Sequence, residues 1–354
     1  MAKIPVAVLG ATGMVGQRFV QLLADHPWFS LEALTASERS AGKPYAEAAK
    51  WYLHPPMPEH VKDMEVLPTS GESVEDAEVV FSALPADVAR EVEPALAEAG
   101  HVVASNASAL RMEEDVPLVI PEVNPEHLRL IEVQRDRRGW DGCVVTNPNC
   151  TTIIFVLALK PILDSFGVRR VLVATMQAIS GAGYGGVPSM TIQDNVIPFI
   201  AKEEEKSQTE PLKILGRLEG DEVRPAQIKI SASCHRVPVL DGHTVAAFVE
   251  LEREAEVGDV ANVLRRFRGK PQELELPTAP ERPIIVEEGQ DRPQPRFARW
   301  AGSVPGMSVV VGRIRRDQAL ENGIKFLVSG NNAIRGAAGA SVLNAELMKA
   351  ENLL

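Results

Sequence analysis

The chain has 354 residues, 45% of them hydrophobic and 24% charged, which is the balance of a globular protein with room for two domains. Its net charge of −11 and the lack of any basic block argue against a nucleic-acid partner. The three cysteines, Cys143, Cys150 and Cys234, are widely spaced with no CxxC pair, which fits a reducing compartment and excludes a disulfide framework or zinc ribbon. The start "MAKIPVAVLG" lacks the apolar region of a signal peptide, and no run of eighteen apolar residues occurs. These features predict a soluble cytoplasmic protein without a membrane partner.

In chain order, the first third alternates β-rich runs with helical patterns. "VAVLG" (6–10) precedes an amphipathic stretch from Met14 to His26. Then come "LEALTAS" (31–37), "AEVVFSAL" (77–84), a helix over 86–99, "HVVASN" (101–106), "VPLVIPEV" (116–123) and "GCVVTN" (142–147). Strands alternating with helices predict a parallel sheet covered on both faces, an α/β domain of Rossmann type. After a buried helix, "TTIIFVLALKPIL", the style changes to long β patterns at 169–178, 226–239, 242–253, 307–317 and 323–330. Turns such as "LDG" and "ALENG" read as hairpins between them, so a second, α+β domain with a mostly antiparallel sheet is expected. Residues 287–306 read as a long loop ordered by packing, and 335–350 as a helix. The domains are expected at 1–149, completed by 335–354, and at 150–334.

"VAVLGATGMVGQ" sets Gly10, Gly13 and Gly16 between the first strand and helix, with Thr12, Met14 and Val15 among them. This is the pattern of a dinucleotide site: a tight turn, a close pyrophosphate approach, and close helix–strand packing. The second strand runs into "LTASERSAGK", where Thr35, Ser37, Arg39, Ser40 and Lys43 outnumber the single acid Glu38. A hydroxyl-and-arginine set suits a ribose 2′-phosphate, so the expected cofactor is NADP.

Cys150 lies in "TNPNCTT" (146–152), where Pro148 and Asn149 end a strand and the buried helix begins. Free amides and the helix dipole at that position favour a thiolate, which predicts a nucleophile. Cys143 and Cys234 fall inside strand patterns and read as core residues. Among the histidines, His26, His54, His60, His101 and His127 read as surface residues. His243 follows the "LDG" turn and comes close to Arg236 if that hairpin forms, while His235 points to the opposite face from Cys234 and Arg236.

These motifs together resemble the aspartate-semialdehyde dehydrogenases of the archaeal and fungal branch. The likeness runs through "GATGMVGQ", "SERSAGK", "SNASALR", "TNPNCTT", "QAISGAGY", "HRVPVLDGHT" and "NNAIRGAAGASVLNAEL", essentially the whole chain. It implies a catalytic set in which Cys150 attacks an acyl phosphate, His243 acts as acid/base, and Gln177 orients the substrate. Arg236 would hold the substrate carboxylate, Glu203 (or Glu204) the amine and Lys206 the phosphate, assisted by Arg111 and Asn149. Ser82, Leu84, Ser180, Gly181 and Asn332 would border the cofactor. Without the resemblance, "AKEEEK" reads as a solvated helix face. The implied reaction is NADPH-dependent conversion of L-aspartyl-4-phosphate to L-aspartate-4-semialdehyde, in lysine, threonine and methionine synthesis, by a homodimer or homotetramer without a metal. A malonyl-CoA or succinyl-CoA type of reductase with the same thioacyl chemistry, or a non-catalytic NADP-binding protein, would share part of the pattern.

Overall fold

The structure, a computed structural model, describes residues 2–354. It is built on two six-stranded sheets and one small two-stranded ribbon. The first sheet holds β1 (Ile4–Leu9), β2 (Phe29–Ala36), β3 (Val66–Pro68), β4 (Val79–Ser82), β5 (Val102–Ser105) and β6 (Cys143–Thr146). All are parallel in the order β3-β2-β1-β4-β5-β6, the doubly wound arrangement that leaves a crevice at the carboxyl end of β1. Helix α1 (Met14–Leu23) and helix α2 (Ala86–Glu98) follow β1 and β4, and the strand interiors are buried on both faces, as continuous Val/Ala/Leu runs require.

One expected strand is absent. In "VPLVIPEV" only Leu118 forms an isolated parallel bridge, to Thr146. Pro117 and Pro121 offer no N–H to a ladder, so the segment meets the sheet edge at one point and leaves it.

Helix α3 (Cys150–Phe166) leaves the end of β6 and lays Ile153, Ile154, Leu157 and Ile162 on the second sheet. That sheet contains β7 (Val168–Gln177), then, beyond helix α4 (Glu203–Ile214), β8 (Lys229–Arg236), β9 (His243–Leu251), β10 (Ile284–Glu287), β11 (Val309–Arg316) and β12 (Gly323–Gly330). Its order is β8-β7-β9-β12-β11-β10. The three central pairings are antiparallel and the two outer ones parallel, so the sheet is mixed, with an antiparallel middle. "ALENG" does close the β11–β12 hairpin. "LDG" does not join a hairpin: β7 lies between β8 and β9 and pairs with both. A turn signal reports a reversal of the chain, and it carries no information about a third strand inserted between the arms.

The last helix, α5 (Gly339–Ala350), returns to the first sheet, where Val342, Leu343, Leu347 and Met348 join the core of Phe19, Phe29 and Phe81. The 287–306 segment contains one short helical turn, Pro295–Ala298, and is tied down where the Asn331 side chain donates to the Arg299 carbonyl at 2.9 Å. Among the described residues, no helix is long and apolar enough to cross a membrane.

Candidate active site

A cleft of about 540 Å³ opens between the two sheets, lined by Met14, Val15 and Leu84 on one side and Cys150, Glu203 and Arg236 on the other. Gly10 makes the turn out of β1 with φ +71°, and a Cβ there would lie 2.9 Å from the Ala83 carbonyl oxygen. A Cβ on Gly16 would lie 2.1 Å from the Gly10 carbonyl oxygen, so the helix can sit this close to the turn only without one. Gly13 starts α1 with no capping side chain, which leaves the first-turn amides to a ligand. This cradle fits a dinucleotide pyrophosphate. Ser37 and Arg39 are exposed on the loop after β2, with Ser40 half-buried beside them. Thr35 is withdrawn from that set, being fully buried and hydrogen-bonded to Thr69 at 3.0 Å. Ser82 is buried too, and its hydroxyl has no partner. Ser180 accepts from the Asn332 amide at 2.9 Å, and both line the cleft beside Gly181.

Cys150 is the first residue of α3, and its Sγ lies 3.3 Å from His243 Nε2. The closeness of His243 to Arg236 comes from the end of β7. The Ala178 N–H donates to His243 Nδ1 at 3.0 Å, and the Ala178 carbonyl accepts from Arg236 at 2.8 Å. Gly181 packs against the same pair, and a Cβ there would lie 2.5 Å from the Arg236 guanidinium.

The helix-mouth amides are not free for the thiol as the sequence implied. Asn149 is the N-cap, and its side-chain oxygen accepts from the Thr151 and Thr152 N–H groups at 2.9 and 3.3 Å. Burial, reinforced by the Glu203 carboxylate, pushes the Cys150 thiol up to about 12 against the pull of Arg111, Lys206 and Arg236. Burial and Arg236 push the His243 imidazole down to about 3. The resting pair is therefore a neutral thiol beside a neutral imidazole.

"AKEEEK" is not a solvated face. Glu203 is buried and accepts from the Asn149 amide at 2.9 and 3.0 Å, from Gln177 at 3.2 Å and from Lys206 at 3.1 Å. Glu204 instead accepts from the Cys234 N–H at 3.1 Å, away from the cleft. Two further residues of α4 were missed. Glu210 accepts from Arg111, and buried Lys213 donates to the carbonyls of Arg111, Glu113 and Val116 at 2.9, 2.6 and 2.7 Å. The signal was in the sequence: residues 203, 206, 210 and 213 are charged at helical spacing, which places them on one face. The structure thus brings Cys150, His243, Gln177, Arg236, Glu203, Lys206, Arg111 and Asn149 around one cleft.

Three histidines expected at the surface are buried. His26 lies 2.8 Å from Glu346, His101 2.7 Å from the Ala77 carbonyl oxygen, and His127 beside Asn124 at 2.9 Å. Cys143 and Cys234 are buried, as expected. Among the described residues, no cluster of His, Cys, Asp and Glu could hold a metal ion.

Comparison with known proteins places these features in context. Residues 5–131 match the model for the semialdehyde dehydrogenase NAD binding domain, and residues 159–335 the model for the semialdehyde dehydrogenase dimerisation domain. The chain is 60% identical to an aspartate-semialdehyde dehydrogenase of Methanothermobacter thermautotrophicus, covering 98% of this chain and 99% of that one. It is 42% identical to a malonyl CoA reductase (NADP) of Metallosphaera sedula, covering 98% and 96% of the two chains. The crystal structure of aspartate semialdehyde dehydrogenase with NADP from Candida albicans superposes with a TM-score of 0.91, at 42% identity and full coverage of both chains.

Proposed function

The chain belongs to the semialdehyde dehydrogenase family, and from that premise we propose that it converts L-aspartyl-4-phosphate to L-aspartate-4-semialdehyde through an acyl group carried on Cys150. It is an oxidoreductase, and NADP is its cofactor. The observation that carries the reading is the Cys150–His243 pair, 3.3 Å apart at the head of α3 and facing a cleft that also gathers Arg236, Arg111, Lys206 and Glu203. Such a set suits a small substrate with two anionic ends and one cationic group.

In this reading, Cys150 Sγ attacks the acyl carbon. The planar guanidinium of Arg236 grips the α-carboxylate, and Glu203 receives the amine. Lys206 and Arg111, with Asn149, face the phosphate, which lowers the cost of its departure. Gln177, held by Glu203, orients the acyl group. NADPH supplies the hydride when bound, cradled by Gly10, Thr12, Gly13, Met14, Val15 and Gly16, with Ser37, Arg39 and Ser40 toward the 2′-phosphate. Ser180, Gly181, Leu84 and Asn332 border the place where it meets Cys150, with Ser82 behind them. The thioester activates the carbonyl without a metal. The product would feed lysine, threonine and methionine synthesis.

We assign cofactor binding to residues 1–149 with 335–354, and catalysis and dimerisation to 150–334. A homodimer or homotetramer in the cytoplasm is the assembly proposed. Its support is the dimerisation-domain match together with Leu172 and Phe248, which pair across β7 and β9 and are 42% and 36% exposed. The test of function is phosphate-dependent NADPH formation from aspartate semialdehyde, run beside malonate semialdehyde with CoA. Turnover confined to the second pair would replace the proposed substrate with a CoA thioester.

A further inference from the structure

Lys213 closes the charged face of α4 that begins with Glu203, Lys206 and Glu210. The other three reach the cleft or a residue that lines it, whereas Lys213 lies one turn further along and is buried. Its Nζ donates to three main-chain carbonyls, of Arg111 at 2.9 Å, Glu113 at 2.6 Å and Val116 at 2.7 Å. Carbonyls can only accept, so all three hydrogens are needed on Nζ, and only the ammonium has them. Burial pushes that ammonium down to about 8, against the pull of Asp115, Glu113 and Glu114. A cation buried among carbonyls costs more than an apolar side chain of the same length, so what it gathers matters.

Its three partners belong to one loop. Residues 106–116 run in turns and bends from the end of β5, with Met112, Glu113 and Glu114 exposed on the outside. Lys213 holds the inner side of that loop by its backbone, independently of the side chains at 113 and 116. Arg111 reaches the cleft from the same loop, and its guanidinium donates to Glu210 at 2.9 Å. Lys206, one turn before Glu210 on α4, lines the cleft as well. Helix α4 thus carries one cation of the cleft itself and grips the loop that carries another. We propose that Lys213 is a positioning residue of the phosphate subsite, fastening the 106–116 loop to α4 so that Arg111 stands at a fixed distance from Lys206. Two cations aimed at one anion repel each other, and their spacing persists only where both are held from behind. Glu210 aims the guanidinium, and Lys213 fixes the backbone from which it grows. The role assigned to Lys213 rests on the reading of Arg111 as a phosphate contact.

The test is a double-mutant cycle on the full-length enzyme in the direction of semialdehyde oxidation, where phosphate is a substrate with its own KM. Lys213→Met keeps the length of the side chain and removes its donors. It should raise the KM for phosphate about tenfold, with the KM for aspartate semialdehyde and the Kd for NADP within about twofold of wild type. Arg111→Gln, which still offers Glu210 a donor, should raise the phosphate KM at least as much. Because Lys213 acts through Arg111, adding Lys213→Met to Arg111→Gln should change the phosphate KM by less than about twofold further. Lys213→Gln keeps two of the three hydrogens and should give an intermediate phosphate KM; it carries the same cycle if the methionine variant does not fold. A lower melting temperature with the phosphate KM unchanged, equal effects of the Lys213 substitution in both backgrounds, or a rise shared by all three ligands would overturn the assignment and leave Lys213 a structural contact. Wild-type turnover that does not depend on phosphate, or Arg111→Gln with an unaltered phosphate KM, would instead sink the phosphate reading itself, and the role of Lys213 with it.

Discussion

The Glu210 carboxylate binds Arg111 through one oxygen at 2.9 Å, and through the other it accepts the backbone N–H of Asn149 at 2.7 Å. One side chain of α4 therefore sets the distance between the arginine facing the phosphate and the cap that precedes the nucleophile. Both partners are buried, with side-chain exposures of 8% and 2%. Glu210→Gln keeps the shape but leaves the Arg111 cation uncompensated, which should cost about 3 kcal/mol of stability. A melting curve should show the loss, and kcat should fall while the Kd for NADP stays unchanged, because the glycine cradle lies on the other sheet. Unaltered melting and kcat would reduce Glu210 to a replaceable contact.

The cofactor preference has its own test. Arg39 lies exposed on the loop after β2, where no acid competes for a ribose hydroxyl except Glu38. NADP should be favoured over NAD by at least tenfold in kcat/KM, about 1.4 kcal/mol. Arg39→Ala should erode that ratio by raising the KM for NADP. Equal efficiencies with the two cofactors in the wild-type enzyme would remove the argument for a 2′-phosphate site on this loop.

The neutral Cys150–His243 pair fixes a direction for pH dependence. The imidazole is held down at about 3 by burial and Arg236, below the unfolded histidine near 6.5. The unfolded chain therefore binds the extra proton between those values, and the contribution of His243 to stability is lost as pH falls through that window. The thiol is held up at about 12, so Cys150 contributes stability that declines as pH rises above about 9. Denaturant midpoints across pH should show the acid-side decline shrinking in His243→Gln. A wild-type acid limb that the substitution leaves unaltered would mean that the imidazole does not titrate with folding.

How much of this was legible in the sequence depended on the range of the physics. The Gly10, Gly13 and Gly16 turn is local chemistry between one strand and one helix, and the structure has the tight turn at Gly10 and the close helix packing at Gly16 that the spacing predicts. The position of Cys150 at a helix start was equally local. What its amides do was not, because Asn149 could be seen as ending a strand but not as a cap that consumes them. The "LDG" turn misled because β7, sixty residues earlier in the chain, lies between the strands it joins. His26, His101 and His127 lie at element ends, which usually face solvent, and only tertiary packing against Glu346, Ala77 and Asn124 hides them. The charged face of α4 was the avoidable miss, since its spacing was visible and only the sign of its environment was unknown.

The nucleophile itself can be identified chemically. Incubating the enzyme with the semialdehyde and NADP but no phosphate should strand an acyl group on one cysteine, because the leaving step lacks its acceptor. Peptide mass spectrometry should find it on Cys150. Cys143 and Cys234 are buried away from the cleft that Cys150 lines, with no histidine in hydrogen-bond contact with either sulfur. Cys150→Ala should abolish the adduct and turnover while leaving NADP binding intact. Cys150→Ser should be nearly as inactive, since a hydroxyl is a far weaker nucleophile than a thiol and the buried, neutral His243 is a weak base for it. Wild-type turnover of Cys150→Ala, or an adduct that follows Cys234, would return Cys150 to the core of α3.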